Sequence, residues 1–226
     1  MPLHPTSRGL ISALKLSDYY AAESLKIQQE FERTGDGLAV LCRRSDAVDV
    51  VVAGLYAQLF SPQPDEPQNF CLVALGGYGR RELFPHSDID LLFLTESSRE
   101  QSSRRDAMAA ILRELWDFRL RIGHSMHTLA ECGRLYRDSL EFNVALLDCR
   151  YLAGDRGLYV RLHDDVFPHL VARDHLDLLR NLADLTRQRH AKYGDTIFHL
   201  EPDIKEAPGG LRDYHVCRWL GRISEL

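Results

Sequence analysis

Leu75-Gly76-Gly77-Tyr78-Gly79-Arg80-Arg81-Glu82-Leu83-Phe84-Pro85-His86-Ser87-Asp88-Ile89-Asp90-Leu91-Leu92 is the stretch on which the fold turns. Just before it, Phe70-Cys71-Leu72-Val73-Ala74-Leu75 is a short continuous apolar run closed by Gly76-Gly77, which reads as a buried strand ending in a tight turn. A second strand, Asp88 to Leu94, follows the turn at Pro85. A strand that ends in Gly-Gly and enters a short helical turn leaves backbone N–H groups unpaired and lets a ligand approach the main chain, the makings of an anion site that suits a triphosphate. Asp88 and Asp90 flank Ile89. Strand side chains alternate, so both carboxylates are expected on one side, about 6–7 Å apart along the backbone, with Ile89, Leu91 and Phe93 facing the core. Two such acids raise each other's pKa unless a cation lies between them. Magnesium prefers hard oxygen ligands and is commonly held by one or two carboxylates plus substrate phosphates, so the pattern points to nucleotidyl transfer.

Outward from this stretch, Ala21 to Phe60 carries apolar residues at three- and four-residue steps, two helices broken at Gly35-Asp36-Gly37. Ser61 to Gln68 holds three prolines and is expected to be an exposed connector, the first boundary. Arg99 to Leu120 reads as one amphipathic helix with Met108, Ile111, Leu112, Leu115 and Trp116 on its core stripe. Arg121 to Leu129 is a third strand, Glu131 to Leu152 a helix, and Leu158 to Tyr193 helical again. The domain reading is a helical segment over 1–60, a core over 61–157 and a helical lobe over 158–226.

The composition narrows the function. With 226 residues, 45% hydrophobic and 27% charged, the chain suits a compact, soluble protein that buries roughly 70% of its unfolded surface. A net charge of −5, from 28 Lys+Arg against 33 Asp+Glu, argues against a nucleic-acid coat or an anionic-membrane binder. Five cysteines with no Cys-x-x-Cys pair argue against a zinc ribbon or a disulfide framework. Neither a signal peptide nor a long apolar run is present, and the reading is cytoplasmic.

The Gly76-Gly77 and Asp88-Ile89-Asp90 pairing resembles the signature of polymerase-β-like nucleotidyltransferases, and the fuller wording from Gly76 to Leu92 resembles the bifunctional PII uridylyltransferase/uridylyl-removing family. Leu115-Trp116-Asp117, Gly123-His124-Ser125-Met126-His127-Thr128 and Glu131-Cys132 are similar to a second motif of that family, with His127 where the family pattern has arginine. Leu200 to Lys205 with Pro208-Gly209-Gly210-Leu211-Arg212-Asp213 is similar to a third, shared with glutamine synthetase adenylyltransferases. The physical content of this third motif is one lysine, one arginine and a glycine turn with open amides, against which stands a plain glycine cap with an Arg212–Asp213 surface pair.

The resemblance implies an α/β (α+β) core with a small mixed sheet, N-terminal helices and the start of a helical second lobe. It further implies Mg2+ held by Asp88 and Asp90, and a triphosphate positioned by Gly76, Gly77 and Ser87. Arg80 is either a phosphate contact or a loop brace paired with Glu82. Lys205, Gly209, Gly210 and Arg212 are candidate nucleotide contacts. A third carboxylate completes such sites; Arg121 to Leu129 contains none, so Asp148 is the substitute, with Asp155 behind it, against the alternative that either acid pairs with a nearby arginine. UTP is the implied donor, a tyrosine of the PII signalling protein the acceptor, and glutamine the effector of the full-length family. Such proteins also carry a His-Asp phosphohydrolase domain and two ACT domains, so this chain is expected to be a fragment lacking them; His163-Asp164 reads as a solvated helix face and His124 as structural. The rivals are an adenylyltransferase-like enzyme and a non-catalytic nucleotide-binding module.

Overall fold

A computed structural model describes residues 13–60, 69–135, 140–198, 201 and 203–226. The proline-rich connector at 61–68, together with Leu200 and Pro202, lies outside the described residues. Contacts divide the chain into two units, one of residues up to Leu129 with Asp148–Val160, the other of Ala130–Leu147 with Arg161–Leu226.

The first unit opens with two helices, α1 (Ala13–Thr34) and α2 (Gly37–Leu59). Gly35 adopts φ +68° and returns its N–H to Phe31, while the Asp36 carboxylate caps α2 through Ala39 N at 3.0 Å; a left-handed glycine followed by an N-cap is the break expected here. Then come β1 (Phe70–Ala74), the single turn α3 (Gly76–Gly79), β2 (Ile89–Thr95), α4 (Ser98–Ser103), α5 (Arg105–Asp117), β3 (Ile122–Thr128) and, after an excursion into the second unit, β4 (Arg150–Gly154). The sheet order is β3-β2-β1-β4, with β2 and β3 parallel and the other pairs antiparallel. One sheet face, carrying Phe70, Leu72, Ala74, Ile89, Leu91 and Phe93, packs against Val48, Val51, Val52 and Leu55 of α2 and Met108, Ile111 and Leu115 of α5. This is the mixed α/β core expected from the sequence.

Three expectations are corrected. The stretch from Arg99 to Leu120 is two helices, split at Arg104, because the Ser102 and Ser103 hydroxyls bond back to the Ser98 and Glu100 carbonyls and compete with the helical ladder. Trp116 is 52% exposed, since it lies about 80° around the helix from Met108, at the margin of the stripe. Glu131 to Leu152 is not one helix: α6 (Leu129–Cys132) and α7 (Leu140–Leu146) are followed by β4, which pairs with β1 through a register shift at Leu72/Val73.

In the second unit, α8 (Arg156–Arg161), which begins in the first, runs into a π-helical turn (Leu162–Val166) and then α9 (Phe167–Ala191). The last element, α10 (Leu211–Glu225), buries His215, Trp219 and Ile223 at helical spacing and packs on α9.

Candidate active site

The backbone amide of Leu75 donates to the Asp90 carbonyl at 2.9 Å, so the end of β1 is tied beside Asp90 and the chain turns into α3 with Gly76 at φ +54°. Only glycine adopts that φ without strain. Asp88 and Asp90 are exposed while Ile89 between them is buried, the alternation the sequence implies. The parallel register pairs Asp90 with Gly123, Leu92 with Ser125 and Leu94 with His127, which puts Asp90, Ser125 and His127 on the sheet face opposite the core. Ser87 is half-buried just before the pair, its amide bonded to Phe84 O at 3.0 Å. His124 stacks edge-on to Phe93, 6.5 Å between ring centres, on the core side.

The glycine turn is held from outside. Tyr78 is fully buried and donates its hydroxyl to Asp49 Oδ1 at 2.7 Å. Burial, and then the Asp49 carboxylate, push the Tyr78 phenol well above its ordinary pKa, so it stays a donor. Arg150 grips Asp49 with two nitrogens, at 2.6 and 3.1 Å, and caps the carbonyls of Tyr78 and Gly79 at 3.2 Å each. A Cβ on Gly79 would lie 1.8 Å from the Asp148 carbonyl oxygen, so only glycine allows the turn to close against this segment. That approach brings Arg80 to Asp148 at 2.7 Å and to Glu82 at 2.7 Å, with side-chain exposures of 7% for Arg80 and 1% for Asp148. Asp148 is thus placed as the buried partner of a brace rather than as an exposed third carboxylate, and Arg80 is engaged by acids on both sides. Asp155 caps α8 through Leu158 N at 3.0 Å.

Asp49, Arg150 and Gly123 were not singled out from the sequence. The first interrupts the apolar face of α2 between Val48 and Val51, and a glycine inside a strand marks close approach by a neighbour; those were the available signals.

The third motif folds within the second unit as a closed turn. Gly209 has φ +80°, and a Cβ on Gly210 would come within 2.8 Å of the Ile204 carbonyl. The amides expected to be open have partners: Gly209 on Asp213 Oδ2 at 2.6 Å, Gly210 on Ala207 O, Leu211 on Ile204 O and Arg212 on Lys205 O. Arg212 pairs with Glu206 at 2.9 Å and lies over Trp219, whereas Asp213 binds Arg189 and His190. Partial burial opposes ionisation of Asp213, and the Arg189 guanidinium, the Gly209 amide and the His190 ring outweigh it, holding the carboxyl at about 2. Lys205 is exposed.

Among the described residues no group of three or more His, Cys, Asp or Glu is placed to hold a metal. The donor set at Asp88 and Asp90, two exposed carboxylates with glycines beside one of them, fits a hard divalent cation that completes its shell from substrate oxygens. None of the described helices is long and apolar enough to cross a membrane.

A mixed sheet with a glycine turn beside an Asp-x-Asp strand start defines a nucleotidyltransferase-like core. Residues 177–225 match the family described as GlnD PII-uridylyltransferase, and residues 32–140 the family described as glutamate-ammonia ligase adenylyltransferase. The chain is 36% identical over 97% of its length to the bifunctional uridylyltransferase/uridylyl-removing enzyme of Ralstonia nicotianae, covering 24% of that protein. It is 44% identical over 70% of its length to that of Bordetella parapertussis, covering 18%, and 33% identical over 98% of its length to that of Cereibacter sphaeroides, covering 24%. Along most of its length the chain is thus similar to bifunctional uridylyltransferase/uridylyl-removing enzymes, and it spans about a quarter of the length of the curated relatives it matches.

Proposed function

We propose that the chain carries the nucleotidyltransferase site of a uridylyltransferase that moves UMP from UTP to a tyrosine of the PII signalling protein. The observation that carries this reading is that Asp88 and Asp90 are both exposed at the start of β2, with Gly76 so close that a Cβ added to it would lie 3.3 Å from Asp90 Oδ2. Asp88 and Asp90 would hold Mg2+, which when bound would neutralise phosphate charge and favour the leaving pyrophosphate. Gly76 and Gly77 leave room for the triphosphate, and Ser87 offers it a hydroxyl. The tyrosyl oxygen attacks the α-phosphorus in line; the new O–P bond forms as the bond to the bridging oxygen of the β-phosphate breaks, pyrophosphate departs with the electron pair, and the phenolic proton passes to solvent. Arg80 and Asp148 act from behind by fixing the turn. In the second unit Lys205 is the candidate phosphate cation, with Gly209, Gly210 and Arg212 shaping the turn that presents it.

A second reading, adenylyl transfer from ATP, is favoured by the adenylyltransferase match over residues 32–140. Incubation with α-labelled UTP or ATP, Mg2+ and PII separates the two. Label on PII from UTP is the expected result. Label from ATP alone selects the second reading, and no transfer from either defeats both.

A further inference from the structure

The Asp90 carboxylate lies in a slot walled by two glycines. A Cβ on Gly76 would stand 3.3 Å from Asp90 Oδ2, and one on Gly123 only 2.4 Å from Asp90 Oδ1. Asp90 and Gly123 are register partners on the parallel strands β2 and β3, so the carboxylate leans across the pairing onto the neighbouring strand. No real Cβ tolerates an oxygen at that distance, and at position 123 the close atoms all belong to Asp90. A side chain there would leave the ladder in place and turn the carboxylate out. Asp90 is exposed.

We propose that Gly123 is a positioning residue: by carrying no side chain, it sets the direction in which Asp90 presents its two oxygens, one over β3 and one toward Gly76. This rests on the reading of Asp90 as a cation ligand. Among the described residues β3 is a sheet edge, with no strand beyond it to meet Gly123→Ala.

The test compares wild type, Gly123→Ala and a control, Gly221→Ala, whose added methyl meets open space. Mn2+ affinity is read by electron paramagnetic resonance, the Asp90 χ1 rotamer by NMR couplings in the metal-free chain, and folding by thermal unfolding. Gly123→Ala is expected to keep its unfolding midpoint, change the Asp90 rotamer and weaken Mn2+ at least tenfold, whereas Gly221→Ala, inside α10, leaves the rotamer and Mn2+ affinity as in wild type. Asp90→Glu tests the slot without touching β3: its longer side chain cannot keep both oxygens between the glycines, and it too is expected to lose at least tenfold. Wild-type Mn2+ binding that Gly123→Ala leaves intact, with the same Asp90 rotamer, overturns the role of Gly123 alone. A wild-type chain that binds no Mn2+ overturns the cation site as well.

Discussion

Arg80 and Asp213 show how charged residues in the diagnostic motifs serve the fold. Arg80 is nearly buried between Glu82 and Asp148. Removing one partner of such a pair strands the other charge, so Arg80→Ala is expected to cost about 3–5 kcal/mol in denaturant unfolding, and Arg80→Met with Asp148→Leu much less. Unchanged stability in Arg80→Ala with a raised KM for UTP would instead mark a phosphate contact. Asp213 ionises at about 2 against an ordinary 3.8, so its contribution is complete above about pH 4 and is lost as pH falls through about 2. The gap in thermal midpoint between wild type and Asp213→Asn should therefore be constant near neutrality and close toward pH 2; a gap that persists there contradicts the assignment. At this scale the sequence is legible where neighbours in the chain settle geometry, as with Asp88, Ile89 and Asp90. It is illegible where a distant strand does: a glycine within β3 signals close approach, but nothing near Gly123 says that the neighbour is Asp90.

At the scale of elements, α2 is the scaffold of the glycine turn as well as a wall of the core. Arg44 donates to the Pro85 carbonyl at 3.2 Å, Asp46 pairs with Arg81, and Asp49 joins Tyr78 to Arg150. Asp49→Ala leaves the Tyr78 hydroxyl and the Arg150 guanidinium without their shared acceptor. It is expected to destabilise by about 2 kcal/mol and to speed amide exchange over residues 76–82 while α9 exchanges as before, with Asp49→Asn intermediate. Exchange that rises equally in α9 would mean general loosening and sink the scaffold role. The helices at α1 and α2 and the strands β1 to β3 follow from short-range periodicity and were legible. β4 was not, because Leu140, Val144, Leu147 and Tyr151 keep a helical period in the sequence, which pairing with β1 overrides. The closed turn at Gly209-Gly210 was hidden for a related reason: its amides are claimed by carbonyls at 204, 205 and 207 and by the Asp213 side chain.

For the whole molecule, a net charge of −5 offers no general attraction for a polyanion, so the proposed phosphate recognition has to rest on local geometry such as the glycine turn at Gly76 beside Asp90. The relatives named above are about four times as long, so the chemistry assigned to this chain is confined to what its own residues arrange. The account turns on Asp88 and Asp90 jointly holding a cation and a nucleotide. Calorimetric titration of UTP into the chain, with and without Mg2+, in wild type and in Asp88→Asn with Asp90→Asn, tests it most directly. Saturable binding that requires Mg2+ and falls at least a hundredfold in the double variant, its unfolding midpoint unchanged, is the predicted result; UTP binding that is equal in both proteins, or indifferent to Mg2+, would contradict it.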